Sequence, residues 1–175
     1  MPKINSTMKK FVLLLMLLIA FSSCKSSKST KSKSSQTTAK TKKNTSKSKA
    51  ENIIDYANQF KGVKYKWGGT TKKGMDCSGL IYTSFTANNV QLPRISRDMA
   101  KRGTKISLKN VHKGDLLFFK TGKNRRNEIN HVGLIVDIRN NDIKFIHATT
   151  SKGVIVSGLN EKYWLNAFVE ARSIL

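Results

Sequence analysis

At Asp115 the chain changes its hydrophobic rhythm, and that change limits the folds open to it more than any other feature. The runs DLLFFK (115–120), HVGLIVDI (131–138), IKFIHAT (143–149), VIVSG (154–158) and AFVEARSI (167–174) are short and β-branched or aromatic, with turn residues such as RNND and SKG between them. They predict five strands. Upstream the apolar residues fall at helical spacing instead. AENIIDYANQFKG puts Ile53, Ile54, Ala57 and Phe60 on one face before Gly62, and Leu80, Ile81, Ser84, Phe85 and Asn88 fit a second helix ended by Asn88 and Asn89. After Pro93, RISRDMAKRG predicts a third, shorter helix with Ser96 as its cap and Gly103 as its terminator. Helices first and a meander of strands afterwards define an α+β domain, its N-terminal helices packed on a mostly antiparallel sheet. The sequence contains no internal repeat.

The charge divides the chain before that domain begins. The formal net charge is +23, from 33 Lys and Arg against 10 Asp and Glu. Three lysines precede the apolar run that starts at Phe11, nine lie between residues 25 and 50, and every acid lies from Glu51 onward. Residues 25–50 contain only Lys, Ser, Thr, Gln, Asn and Ala, a composition that cannot bury a core. We read residues 24–50 as a self-repelling tether, acting either as a plain spacer or by adhesion to anionic wall polymers or headgroups.

Residues 1–23 have a basic start, an apolar stretch from Phe11 to Phe21 and small residues Ser22 and Ser23 before Cys24. That is the layout of an export signal, and the stretch is too short for a permanent span. Its end also resembles the lipobox of bacterial lipoproteins, in which the cysteine is lipidated, with Phe21 where leucine is usual; simple cleavage beside an incidental thiol is the alternative. Export makes nucleic acid a poor partner, and the tether lacks the interleaved aromatics of a single-strand binder.

With Cys24 assigned to the leader, the domain from residue 51 to 175 has one cysteine, Cys77, within GMDCSGL. A lone thiol in an oxidising compartment has no structural bridge to make, so a reactive role leads. At the first position of a helix it faces free backbone amides and the positive dipole end, both of which favour thiolate. His131 opens one strand and His147 lies near the end of the next. If those strands pair about RNND the two imidazoles become neighbours, one as base and the other as the group that orients it. His112 reads as a solvated bystander. A zinc site built from Cys77, His131 and His147 is a weaker alternative, because no C-x-x-C or H-E-x-x-H spacing accompanies it.

The series YKWGG, DCSGL, GDLLFF, NHVGLIV and FIHAT, in that order across residues 50–175, resembles the NlpC-type family of bacterial cell-wall cysteine peptidases, whose domain is papain-like. The resemblance implies Cys77 as nucleophile, His131 as base and His147 as third member, with no cofactor. It implies substrate contacts at Tyr65, Asp76 and Ser78, beside the rival roles of loop packing for Tyr65 and helix capping for Asp76 and Ser78. Met99 stands where the family often has glutamine. The expected function is an exported, lipid-anchored, monomeric peptidoglycan hydrolase of the cell envelope that cleaves a stem-peptide amide, between D-glutamate and the diamino acid. An amidase cutting between sugar and peptide, and a non-catalytic cationic wall-binding module, are the alternatives.

Overall fold

The computed structural model describes residues 47–122 and 128–175. The leader, Cys24 and the tether as far as residue 46 lie outside the described residues. The first helix, α1 (Lys49–Asn58), begins two residues ahead of Glu51 because Ser48 and Glu51 form a capping box. The Ser48 hydroxyl accepts the Glu51 N–H at 3.2 Å, and the Glu51 carboxylate accepts the Ser48 N–H at 2.8 Å. Its apolar face, Ile53, Ile54 and Ala57, is buried as the spacing predicts.

The glycine-broken loop after α1 contains a small hairpin, β1 (Thr70–Thr71) with β2 (Gly74–Met75). Immediately after it comes α2 (Cys77–Thr86), which buries Leu80, Ile81, Ser84 and Phe85. Gly79 lets α2 start hard against the hairpin loop: a methyl group there would collide with the Gly69 carbonyl and crowd Asp76 and Arg94. The third helix, α3 (Ser96–Met99), is a single turn. Here the cap expectation is corrected. Ile95 occupies the cap position with no side-chain bond, and Ser96 is the first helical residue, because the incoming chain runs extended through Ile95 after Arg94 is pinned to Asp76.

The sheet follows as β3 (Thr104–Ile106), β4 (Leu116–Phe119), β5 (His131–Arg139), β6 (Asp142–Thr149), β7 (Gly153–Gly158) and, after a short helix α4 (Lys162–Ala167), β8 (Phe168–Ser173). All pairings are antiparallel, in the order β3-β8-β4-β5-β6-β7. The meander runs β4 to β7; β8 returns beside β4, leaving the three-residue β3 at one edge. Neither β3 nor α4 is legible in the sequence, for both are too short to show a period.

The sheet is buried on both faces. One face, with Leu116, Phe118, Val132, Leu134, Ile146 and Ala148, packs with α1 and α2. The other, with Leu117, Phe119, Ile135, Phe145 and Ala171, packs under Trp164 of α4. Met99 is fully buried in the first of these layers, so the residue found where the family often has glutamine is a core side chain here.

One irregularity decides what each face of the sheet displays. From the turn outward β5 and β6 pair Arg139 with Asp142, Ile138 with Ile143 and Asp137 with Lys144. The register then slips, so that Ile135 faces Phe145 and Leu134 faces Ile146, with Val136 left over as a bulge. In the unslipped register His147 would lie opposite Leu134 and point away from His131. The bulge puts His131, Ile135, Phe145 and His147 on one face, since a slip of one residue exchanges the faces. Gly133 lies between His131 and Ile135, and the space left by its missing side chain is filled by the Phe145 ring.

Candidate active site

Cys77 is the first residue of α2, and Asp76 is the cap before it, accepting the Gly79 N–H at 2.6 Å. The other Asp76 oxygen accepts the Gly68 N–H at 2.8 Å, which ties the YKWGG loop to the helix start. Arg94 closes the arrangement from the chain ahead of α3. Its guanidinium spans both carboxylate oxygens at 3.0 and 2.9 Å and donates to the Ser78 hydroxyl at 2.9 Å. Such a two-pronged ion pair fixes geometry as well as charge. Asp76 and Ser78 are therefore both committed to holding the helix start in shape, and both also line the cleft. Arg94 carried no signal in the sequence, because its partners lie 16 and 18 residues away.

The Cys77 sulfur is buried, and the backbone amides of Val132, Ser78 and Cys77 itself lie close enough to favour its charged form. Val132 is the residue after His131, so the start of β5 is brought directly to the thiol. Burial pushes the thiol up to about 11, and the Asp76 charge pushes the same way, whereas the three amides pull it down. Loss of hydration wins. The helix start thus supplies the amides that the sequence predicts, while burial works against an ionised sulfur.

His131 and His147 meet across the predicted hairpin, though only because the Val136 bulge turns both to one face, with His131 Nε2 3.0 Å from His147 Nδ1. Burial alone depresses His131 to about 4; burial and then the His131 charge depress His147 to about 2. Both rings are neutral at physiological pH. On the far side of His147, its Nε2 lies 3.0 Å from the Ser157 hydroxyl on β7. Trp164 covers the pair, stacked on His131 and edge-on to His147. Ser157 and Trp164 are further site residues without a sequence signal, since only the sheet register and the return of α4 bring them in.

Cys77, His131, Tyr65, Arg94, Ser157 and Trp164 open into one cavity of about 1140 Å³. Tyr65 is partly buried, and its phenol is pushed up by burial, then by its proximity to Cys77 and Asp76. Trp67, by contrast, is 86% exposed at the rim, so it does not pack its loop. His112 is exposed and does not line this cleft. Among the described residues no group of three His, Cys, Asp or Glu side chains is arranged to hold a metal ion. The arrangement offers a thiol, a neutral base that opens into the same cleft, and a second ring hydrogen-bonded to that base: the parts of nucleophilic acyl transfer.

Residues 62–173 match the model of the NlpC/P60 family. Over 124 residues the chain is 41% identical to the murein DD-endopeptidase MepS/murein LD-carboxypeptidase of Escherichia coli (strain K12), an alignment covering 70% of this chain and 62% of that protein. It is 43% identical over 90 residues to the gamma-D-glutamyl-L-lysine dipeptidyl-peptidase of Bacillus subtilis (strain 168), covering 51% of this chain and 30% of that one. Among solved structures, an NlpC/P60 family protein from Bacillus cereus ATCC 10987 superposes with a TM-score of 0.65 at 27% identity, covering 72% of this chain and 40% of that one. The chain thus spans about three fifths of the length of the curated E. coli relative.

Proposed function

This chain belongs to the NlpC/P60 family, and from that premise we propose that it is a peptidoglycan hydrolase that cleaves a stem-peptide amide through an acyl-thioenzyme. The observation that carries the reading is the His131–His147 contact at 3.0 Å, with His131 and the Cys77 thiol opening into one cleft. Cys77 attacks the carbonyl as His131 takes its proton. Burial disfavours the charged form of both thiol and ring, so the exchange is favoured when thiolate and imidazolium form together, each the other's counter-charge. His131 then returns the proton to the leaving amine, and a water activated by the same ring hydrolyses the thioester. The free amides of Cys77 and Ser78 at the helix start are the donors for the oxyanion in this reading; one such donor is typically worth about 10²–10³ in turnover.

Tyr65, Asp76 and Ser78 form the substrate-facing wall in this reading, with Asp76 acting through its hold on the loop and helix start. The bond we assign is that between D-glutamate and the diamino acid, the specificity carried in the name of the B. subtilis relative. A second reading, cleavage of a D,D crosslink, is favoured by the E. coli relative, which aligns over more of this chain. Digestion of defined stem peptides and crosslinked muropeptides, analysed by mass spectrometry, separates the two bonds, and release of free disaccharide would reveal an amidase instead. The matching digest with Cys77→Ala decides whether the chain is an enzyme at all: undiminished cleavage overturns the mechanism. Export and lipid attachment at Cys24 complete the proposal, tested by incorporation of labelled palmitate into wild type against Cys24→Ala.

A further inference from the structure

Two imidazoles 3.0 Å apart share one proton between facing nitrogens, and the direction of that bond decides whether the site can work. If His131 Nε2–H donates to His147 Nδ1, the opposite nitrogen of His131 is bare and can take a proton. If His147 Nδ1–H donates instead, the proton of neutral His131 sits on Nδ1 and the ring has no lone pair left for the thiol. Nothing in the pair itself selects between these. The choice falls to whatever engages the remaining nitrogen of His147.

That group is Ser157. Its hydroxyl lies 3.0 Å from His147 Nε2, on the strand beyond His147, and the residue is 7% exposed. Phe145 pairs with Ser157 and His147 with Ile155 across β6 and β7, so Ser157 is the diagonal neighbour of His147 on the same face. The hydrogen-bond and aromatic partners of the His147 ring are His131, Phe145, Ser157 and Trp164, and none is a carboxylate. Among the described residues no carboxylate is hydrogen-bonded to His147, and Glu161, which also lines the cleft, is engaged by the Gly158 N–H instead, so Ser157 takes the part that an acid has in other triads.

We propose that Ser157 is a positioning residue of the site: its oxygen accepts the His147 Nε2–H, its own hydroxyl proton turns toward the cleft that it lines, and the base-competent tautomer of His131 is thereby selected. The chain then runs one way, from His131 Nε2–H to His147 Nδ1 and from His147 Nε2–H to Ser157. A positive charge forming on His131 strengthens both bonds in turn, so the relay supports the imidazolium without a second proton leaving. This inference rests on the hydrolase reading for its kinetic consequences but not for its tautomers.

The test uses the full chain labelled with ¹⁵N-histidine, with wild type, Ser157→Ala and Ser157→Thr compared by imidazole ¹⁵N shifts and by steady-state kinetics on stem peptide. In wild type both His131 and His147 should be protonated at Nε2. Ser157→Ala should lose this uniform pattern and lower kcat by about 10–100-fold, the range typical of a lost orienting partner, with KM within about twofold. Ser157→Thr, which keeps the hydroxyl, should restore the pattern and most of kcat. A wild-type His147 protonated at Nδ1 overturns the proposal even if Ser157→Ala does not fold, and so does a Ser157→Ala enzyme with unchanged kcat. Absence of stem-peptide cleavage by wild type would instead overturn the hydrolase reading, leaving the ¹⁵N pattern to judge the relay.

Discussion

The Trp164 indole stacks on the His131 imidazole, with ring centroids 5.3 Å apart and planes inclined at 23°, while the same indole meets His147 edge-on at 4.5 Å. One side chain from a six-residue helix thus roofs both histidines, and it is itself 7% exposed. Trp164→Ala should cost about 3–5 kcal/mol of stability, as expected for a large buried aromatic. It should also lower activity at temperatures where the variant is still folded. Trp164→Phe should recover most of both. Urea midpoints beside initial rates of stem-peptide cleavage check this, and a stable but inactive Phe variant would argue that the indole acts by more than packing.

Burial of Cys77 makes a statement about its chemistry with alkylating agents. Because the thiol is pushed up to about 11, iodoacetamide should modify it slowly at neutral pH, with a rate that keeps climbing through pH 9. Modification is followed by mass spectrometry of the Cys77 peptide, so that Cys24 does not contribute. A rate already at its plateau below pH 7 would mean a preformed thiolate–imidazolium pair.

The two buried histidines couple stability to pH. Unfolded, each takes up a proton near pH 6.5; folded, His131 does so only near 4 and His147 lower still, because burial disfavours the charged ring. Between those values the unfolded chain binds more protons, so stability falls as pH falls. Their contribution is complete above pH 6.5 and is lost as pH drops toward 4. The urea midpoint should therefore be flat above pH 7 and decline from about 6.5 downward, ahead of the acid limb from Glu170, whose pKa is lowered from an ordinary value of 4.5. His147→Asn, unable to titrate, should shallow the decline between pH 6.5 and 5.

Arg94 holds the helix start that carries the thiol. Arg94→Ala removes two charge-assisted bonds to Asp76 and one to Ser78, and should cost about 1–3 kcal/mol, moderated by the partial exposure of the guanidinium. Arg94→Lys should recover little of this, since an ammonium cannot span both carboxylate oxygens and reach Ser78 as well. Chemical denaturation of the three proteins measures it, with activity expected to fall in the same order as the midpoints.

The order of elements, the core faces of α1 and α2, five of the strands and the pairing of the two strands that carry His131 and His147 were all legible along the chain, because each rests on local periodicity or on a short hairpin. The sequence also marked Cys77 as the thiol at a helix start and Asp76 as its cap. Tertiary structure decided the rest. Which face the histidines share follows from the bulge at Val136, a one-residue slip that no spacing predicts and that reverses every side chain beyond it. Arg94, Ser157 and Trp164 reach the site from elements whose approach depends on long-range packing. The protonation state of Cys77 is likewise a tertiary property: the helix start supplies amides that favour thiolate, but the depth of burial, set by the sheet closing over α2, takes away the water that a charged sulfur needs.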